Sequence, residues 1–316
     1  MTSTLTKASI PTRRAFSDRM VEYGKKDESF AVFEADIGYS TYTYLFGEAY
    51  PKRYFNCGIA EQNMVASAAG MAANGRTVIA STYGVFLSMR ALESIRSFIC
   101  YPNLNVKFLS SHGGLTAAID GVTHQATEDI GIISTLPNMK ILCPADPASA
   151  TKLFDVAMET PGPVFTRLMR DPLFEVYDNN TEFKMGGSHL LKEGENVTIV
   201  CYGDTVFQAL EAAETLKTKG ISADVLDMYS VKPFDKEALL KSAEKTGAVL
   251  VAENHQRQNG LGYAVSNFLL KNKPVKFENI GLDNTFGESG DYYKVIDKYG
   301  FSARCIDDAV VKLLGK

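Results

Sequence analysis

The sequence holds few of the residues that announce a function by themselves. Its five cysteines include no CxxC pair, and an odd, unpatterned set reads as reduced thiols in a cytosolic protein. Histidine occurs only four times, with no close pair of ligands on one helix face, so a metal site is not indicated. Lys and Arg number 33 against 37 Asp and Glu, a net charge of −4, which gives no basic surface for nucleic acid. No run approaches the ~18 apolar residues of a membrane span. The first residues, MTSTLTKASIPTRRAF, show neither an apolar core nor a cleavage signature. NGLGYAV (259–265) has two glycines but no full GxGxxG, and no acidic residue follows at the distance a dinucleotide site needs. The expectation is a soluble, cytoplasmic protein with no nucleic-acid or membrane partner.

What remains is ordinary globular material. Hydrophobic residues make up 45% and charged residues 22% of 316 positions, enough to bury a core and long enough for about two domains. Short β-branched runs alternate with helical patterns. The strand candidates are AVFEAD (31–36), TVIAST (77–82), VKFLSSH (106–112), KILCPAD (140–146) and PVFTRL (163–168). Helices are expected over 13–23, 61–73, 88–99 and 147–159. Such alternation predicts a parallel sheet covered by helices. RDPLFEVYDNNTEFKMGG (170–187) has no period and reads as a linker. The alternation then restarts with NVTIVCYG (196–203), a helix over 204–219, ADVLDMYS (223–230), AVLVAEN (248–254), a helix near 261–271 and VKFENIG (275–281). The predicted organisation is two doubly wound α/β domains, 1–175 and 188–316, joined by a linker over 176–187.

One stretch poses a chemical question. CGIAEQNMVASAAGMAANG (57–75) is almost all small or apolar and reads as a helix, yet it carries Glu61 near its start. A carboxylate in a first helical turn is favoured by the macrodipole alone. The small side chains, however, suit close packing against another backbone, where a carboxylate needs a hydrogen-bond partner and suits proton handling. Two other segments bring polar groups to the carboxyl ends of strands, where open α/β sheets bind ligands. SSHGGLTAAIDGVTHQATED (110–129) presents His112, Asp120 and His124 around a Gly-rich loop, and STYGVFLSMR (81–90) presents Tyr83 and Phe86. Core packing is the usual fate of such aromatics, and a satisfied loop histidine is the bland alternative for His112. Cys57 has no histidine at a spacing that would make it a nucleophile. His255, in AENHQRQNGLG, is expected at a surface or interface.

Together these segments resemble one family. RYFNCGIAEQNMVASAAGMAANG, STYGVFLSMRALESIR, SHGGLTAAIDGVTHQATED and LPNMKILCPADPASA resemble, in order, the pyrimidine-binding domain of transketolase. The second half, with AENHQRQNGLG and FGESGDYYKVIDKYG, resembles its C-terminal domain. The likeness spans nearly the whole chain, and GIAEQ paired with DGVTHQ is specific. The GDG…N segment with which the family holds Mg²⁺ and the diphosphate of thiamine diphosphate is not found. The resemblance therefore implies the C-terminal subunit of a split transketolase. Such an enzyme uses thiamine diphosphate to transfer a two-carbon ketol unit from a ketose to an aldose, in carbohydrate metabolism of the pentose phosphate type. It implies an N-terminal partner subunit that binds the diphosphate and Mg²⁺, in an α2β2 heterotetramer.

Carried over by position, the resemblance implies that Glu61 contacts N1′ of the cofactor's aminopyrimidine and promotes loss of the C2 proton. It implies that Phe86 stacks on that ring and that Tyr83 lies in the same pocket. Met89 stands where many members have a tyrosine. His112 and Arg167 match residues near the sugar phosphate, and Arg13 matches another phosphate-binding arginine, with Arg14 as the alternative. Arginine forks suit phosphate bidentately. Asp120 and His124 match groups that contact substrate hydroxyls, so the expected catalytic set is Glu61, His112, Asp120 and His124. Glu34 lies near a position that is serine in full-length members, and a carboxylate there would repel phosphate. Either it points away or the substrate differs. The competing readings are the β subunit of a 2-oxo acid dehydrogenase, a 1-deoxyxylulose-5-phosphate synthase-like enzyme, and a non-catalytic subunit that kept the fold. Two histidines in the Gly-rich segment favour sugar chemistry.

Overall fold

The computed structural model describes residues 5–316; residues 1–4, the start of the N-terminal stretch read above, lie outside it. The first half supplies β1 (Ala31–Glu34), β2 (Tyr54–Asn56), β3 (Val78–Tyr83), β4 (Val106–Ser111), β5 (Lys140–Leu142) and β6 (Val164–Arg167). They run parallel in the order β5-β6-β4-β3-β1-β2. The second half supplies β7 (His189–Lys192), β8 (Val197–Cys201), β9 (Ala223–Asp227), β10 (Ser230–Lys232), β11 (Ala248–Gln256) and β12 (Lys276–Leu282). Five of these form a second sheet, β12-β11-β8-β9-β7, in which only β7 is antiparallel. Both faces of β4, β8 and β9 are buried along their whole length, as parallel strands covered by helices require, and the polar residues they carry, such as Lys107 in β4 and Asp224 in β9, are buried with them.

The two halves share a sheet. ADVLDMYS is not one strand: β9 stops at Asp227, and the chain crosses to the first sheet, where β10 pairs antiparallel with β5. The predicted linker is fastened rather than free, since Asp146 accepts the amides of Val176 and Tyr177 at 2.8 and 2.7 Å. His189–Lys192, a strand not among the sequence candidates, pairs with β9. Helices Tyr292–Lys298 and Ala303–Leu314 complete the second half. Among the described residues, no helix is long and apolar enough to cross a membrane.

Two helical stretches set up the site. Helix Glu61–Ala72 buries Met64, Val65, Ala68, Ala69 and Ala72 in the core shared with β1 and β3. Its other face, with Ala66 and Gly70, is exposed, and a Cβ added at Gly70 would meet nothing within 4 Å. The small residues of that face therefore serve no close contact within this chain. The helix expected over 88–99 is instead a π-helical turn, Phe86–Arg90, a short α-helical piece, Leu92–Ser94, and a second π-helical stretch, Ile95–Cys100. Such widened turns gather at functional sites.

Candidate active site

The parallel strands β1, β2, β3, β4 and β6 end on one edge of the first sheet. The residue or loop after each contributes to a single cluster. Ser40 follows β1 and Glu61 follows β2. Tyr83 ends β3 and leads into Phe86 and Arg90. His112 follows β4, and Arg170 follows β6.

Glu61 opens its helix and is 1% exposed. Both of its oxygens accept from Nη1 of Arg90, at 2.8 and 2.9 Å. The Arg90 guanidinium also lies over the ring of Phe86, 4.4 Å from its centre. Phe86 in turn sits 5.7 Å from Tyr83 and 5.7 Å from His124, measured between ring centres. Tyr83 is 4.0 Å from His112 and 5.4 Å from His124, and its hydroxyl donates to Ser40 at 2.8 Å. Met89 is half exposed beside Arg90.

The loop carrying the histidines is held in an unusual backbone shape. His112 and Gly114 have φ of 64° and 58°, in the left-handed region, and Gly121 has φ of 82°. His112 is buried, shares a hydrogen bond with Ser111 Oγ at Nδ1 (2.8 Å), and turns Nε2 toward Asp120 at 3.5 Å. Burial, together with the charges of Arg13 and Arg170, pushes its pKa down to about 2. At neutral pH it is therefore a neutral hydrogen-bonding group, not a cation for a phosphate. Asp120 accepts from Arg170 at 2.8 Å. Arg13 points into this end of the site, donating to the Arg170 carbonyl (2.8 Å) and to Ser40. Arg14 turns away to Asp18.

Two expectations meet a different geometry, and a third question is answered. Arg167 does not face the cluster. It is buried, binds Asp129 at 2.8 Å and donates to the carbonyls of Ala126 and Asn254, each at 2.9 Å. It ties the histidine loop to β11, and it packs so tightly on Gly113 that a Cβ there would lie 2.6 Å from its side chain. Asn254 completes the clamp by accepting the Leu115 amide at 2.8 Å. Secondly, His255 is buried, not superficial: Nε2 accepts the Gly131 amide at 3.1 Å and Nδ1 donates to the Gln256 carbonyl. Of the two alternatives left open for Glu34, the structure takes the first: it points away from the cluster. It turns inward, accepts the Ile37 amide at 2.7 Å, and burial raises its carboxyl above the usual range.

Two minor readings also resolve. The Cys57 thiol is raised by burial, the wrong direction for a nucleophile. In NGLGYAV the amides of Leu261 and Gly262 are taken by the buried carboxylate of Glu253, at 2.9 and 3.0 Å, where a nucleotide phosphate would sit. Among the described residues, no group of three or more His, Cys, Asp or Glu could hold a metal ion. Sequence reasoning missed Arg90, Arg170 and Ser40. The available signal was Arg90's place four residues after Phe86, which puts them on one face of a helical turn.

The strand-end cluster on a parallel sheet, with its second α/β half, matches a known family along almost the whole chain. The profile of the transketolase pyrimidine binding domain covers residues 8–174, and that of the transketolase C-terminal domain covers 186–306. The chain belongs to the transketolase family. It is similar to a putative transketolase C-terminal section of Methanocaldococcus jannaschii, 38% identical over 307 residues and 96% of both chains. It is also similar to a 6-deoxy-6-sulfo-D-fructose transketolase subunit of Clostridium sp. (strain MSTE9), 39% identical over 92% of this chain and 91% of that one. A solved structure described as a split gene transketolase, inactive beta4 tetramer, superposes with a TM-score of 0.89 at 42% identity, covering 97% of this chain and 98% of that one.

The family implies thiamine diphosphate, and the residues present fit its pyrimidine end. A buried carboxylate and an aromatic face stand side by side, and one planar, hydrogen-bonding group already spans both. That is the hydrogen-bonding and stacking set that a planar nitrogen ring requires.

Proposed function

We propose that this chain is the pyrimidine-binding subunit of a two-subunit transketolase, which transfers a two-carbon ketol unit from an anionic ketose to an aldose acceptor. The observation that carries the reading is Glu61, a buried carboxylate at a helix start that shares a planar partner with Phe86. Bound thiamine diphosphate would supply the thiazolium carbon that holds the ketol unit between donor and acceptor. Glu61 would hydrogen-bond N1′ of the pyrimidine and exchange a proton there, and Phe86 would stack on the ring with Tyr83 and Met89 at its edge. His112, Asp120 and His124 would orient the substrate hydroxyls, His112 as a neutral donor and acceptor.

For the substrate's far end we propose Arg170 and Arg13 in place of Arg167, because Arg167 is fully engaged inside the protein. An anionic terminus is also supported by the relative named for a sulfonated ketose. A partner subunit would hold the diphosphate and Mg²⁺, and the exposed Ala66/Gly70 face of helix Glu61–Ala72 suits a close contact with a second chain. Relatives named as a section and as a subunit support this division, as does the tetramer described as inactive.

The test is reconstitution with a separately expressed N-terminal transketolase subunit. The assembled protein should bind thiamine diphosphate with Mg²⁺ and transfer a ketol unit from ketose phosphates, whereas this chain alone should do neither. Decarboxylation of a 2-oxo acid without ketol transfer would overturn the assignment in favour of a 2-oxo acid dehydrogenase β subunit.

A further inference from the structure

Arg90 differs from the other arginines near the site. Arg167 and Arg13 are buried and tied to several acceptors. The Arg90 side chain is 48% exposed, while the Glu61 side chain it binds is 2% exposed. Among the described residues its hydrogen bonds go to Glu61 alone, and its only ring contact is Phe86. One planar cation thus satisfies a buried carboxylate through N–H donors and covers an aromatic face. A hydrogen-bonded, stacked aminopyrimidine would make the same two contacts with the same two residues, and both groups cannot be there together.

We propose that Arg90 is the internal occupant of the pyrimidine pocket, a planar cation that holds Glu61 and Phe86 in place and swings into solvent when the cofactor ring enters. This rests on the pyrimidine-binding reading above. The asymmetry of exposure makes the exchange feasible. Arg90 leaves for water along a side chain already half solvated, whereas Glu61, buried at its helix start, passes from one hydrogen-bond partner to another without being left alone. The π-helical turn Phe86–Arg90 places the guanidinium back over the ring four residues before it. Because Arg90 and the cofactor compete for one place, whatever Arg90 contributes to the closed pocket is subtracted from cofactor affinity.

The competing contacts are one partly exposed ion pair and one cation–π contact, each modest. Arg90→Ala in the assembled two-subunit protein should therefore bind thiamine diphosphate about tenfold more tightly, equivalent to about 1.4 kcal/mol. The measurement is calorimetric titration of thiamine diphosphate in Mg²⁺, with melting temperatures of cofactor-free and loaded protein beside it. The cofactor-free Arg90→Ala protein should melt lower than wild type, because Glu61 loses its partner, and its gain on loading should be larger. Arg90→Gln, which keeps a hydrogen-bonding end without the charge, should fall between the two and carries the test if Arg90→Ala does not fold. Equal affinity in wild type and variants would show that Arg90 does not occupy the pocket, and weaker binding would make it a cofactor contact; either overturns the proposal. A wild-type assembly that binds no thiamine diphosphate would overturn the pyrimidine-binding reading itself, which separates the two failures.

Discussion

Arg167 offers the sharpest test of the distinction between a substrate arginine and a structural one. Replacing it with Met keeps much of the apolar volume and removes every polar contact. Asp129, fully buried and with Oδ1 already unpartnered, would lose the guanidinium 2.8 Å from its other oxygen. The Asn254 carbonyl would lose its donor, while the Ala126 carbonyl keeps the Gly114 amide at 2.8 Å. Breaking a buried pair by removing one partner costs about 3–5 kcal/mol, because the remaining charge is uncompensated. At a few degrees per kcal/mol for a protein of this size, the melting temperature should fall on the order of 10 °C. Scanning calorimetry of the isolated chain reads this directly. The double variant Arg167→Met/Asp129→Asn should regain part of the loss, since no bare charge remains. In the assembled enzyme, turnover should drop alike for phosphorylated and unphosphorylated donors, because the histidine loop loosens as a whole. An unchanged melting temperature with a KM rise confined to phosphorylated donors would refute the argument and return Arg167 to the substrate.

Three further outcomes follow from the same geometry. Glu61→Gln should fold and assemble yet lose most turnover, because an amide fills the space but cannot exchange a proton with N1′; deuterium exchange at the cofactor's C2, followed by quenched-flow NMR, should slow, and a normal exchange rate would leave Glu61 as a helix-terminal charge only. Arg170→Gln should raise KM for anionic donors about 10–100-fold, the worth of one charge-assisted contact of about 1.5–3 kcal/mol, while sparing neutral ones; an equal loss on both would mean that Arg170 serves Asp120 alone. Asp227 is buried, holds the Tyr177 hydroxyl at 2.5 Å and has its pKa pushed up to about 8 by burial. Because this folded value lies above an unfolded value of ~3.9, its contribution to stability is full below about pH 4 and is lost as pH rises through 8. The melting temperature should fall across that window, and Asp227→Asn should flatten the fall; parallel pH profiles for the two proteins would count against it. Glu34, Asp204 and Glu253 are raised in the same sense, so flattening, not abolition, is expected.

The parts of this molecule that sequence reading reached are those decided locally. TVIAST and VKFLSSH became β3 and β4 because short stretches rich in β-branched and apolar residues suit strands buried on both faces of a parallel sheet, and PASATKLFDVAME became a helix because Asp146 and Ser149 form its capping box. What was missed was decided across the fold. Ser230–Lys232 is three residues of no distinct pattern and is a strand because the edge of β5 lies beside it. For Glu34 the sequence left two orientations open, and the Ile37 amide that turns it inward decides between them. Arg167 and Arg170 stand three residues apart at the end of the same strand. One is drawn into the interior by Asp129, the other stays at the site with Asp120. Asp120 and Asp129 stand at the two ends of one loop, so both arginines find a carboxylate there, and the register of that loop, held by Asn254 and the left-handed backbone at His112 and Gly114, decides which arginine stays at the strand-end cluster. The same holds for Arg90. Its spacing from Phe86 was visible, but whether it reached solvent or Glu61 depended on a π-helical turn that no hydrophobic period announces. Motifs place the chemical groups, and tertiary contacts choose their partners. In this chain the second half makes that choice for a site built almost entirely from the first, because Asn254, which fixes the histidine loop, comes from β11.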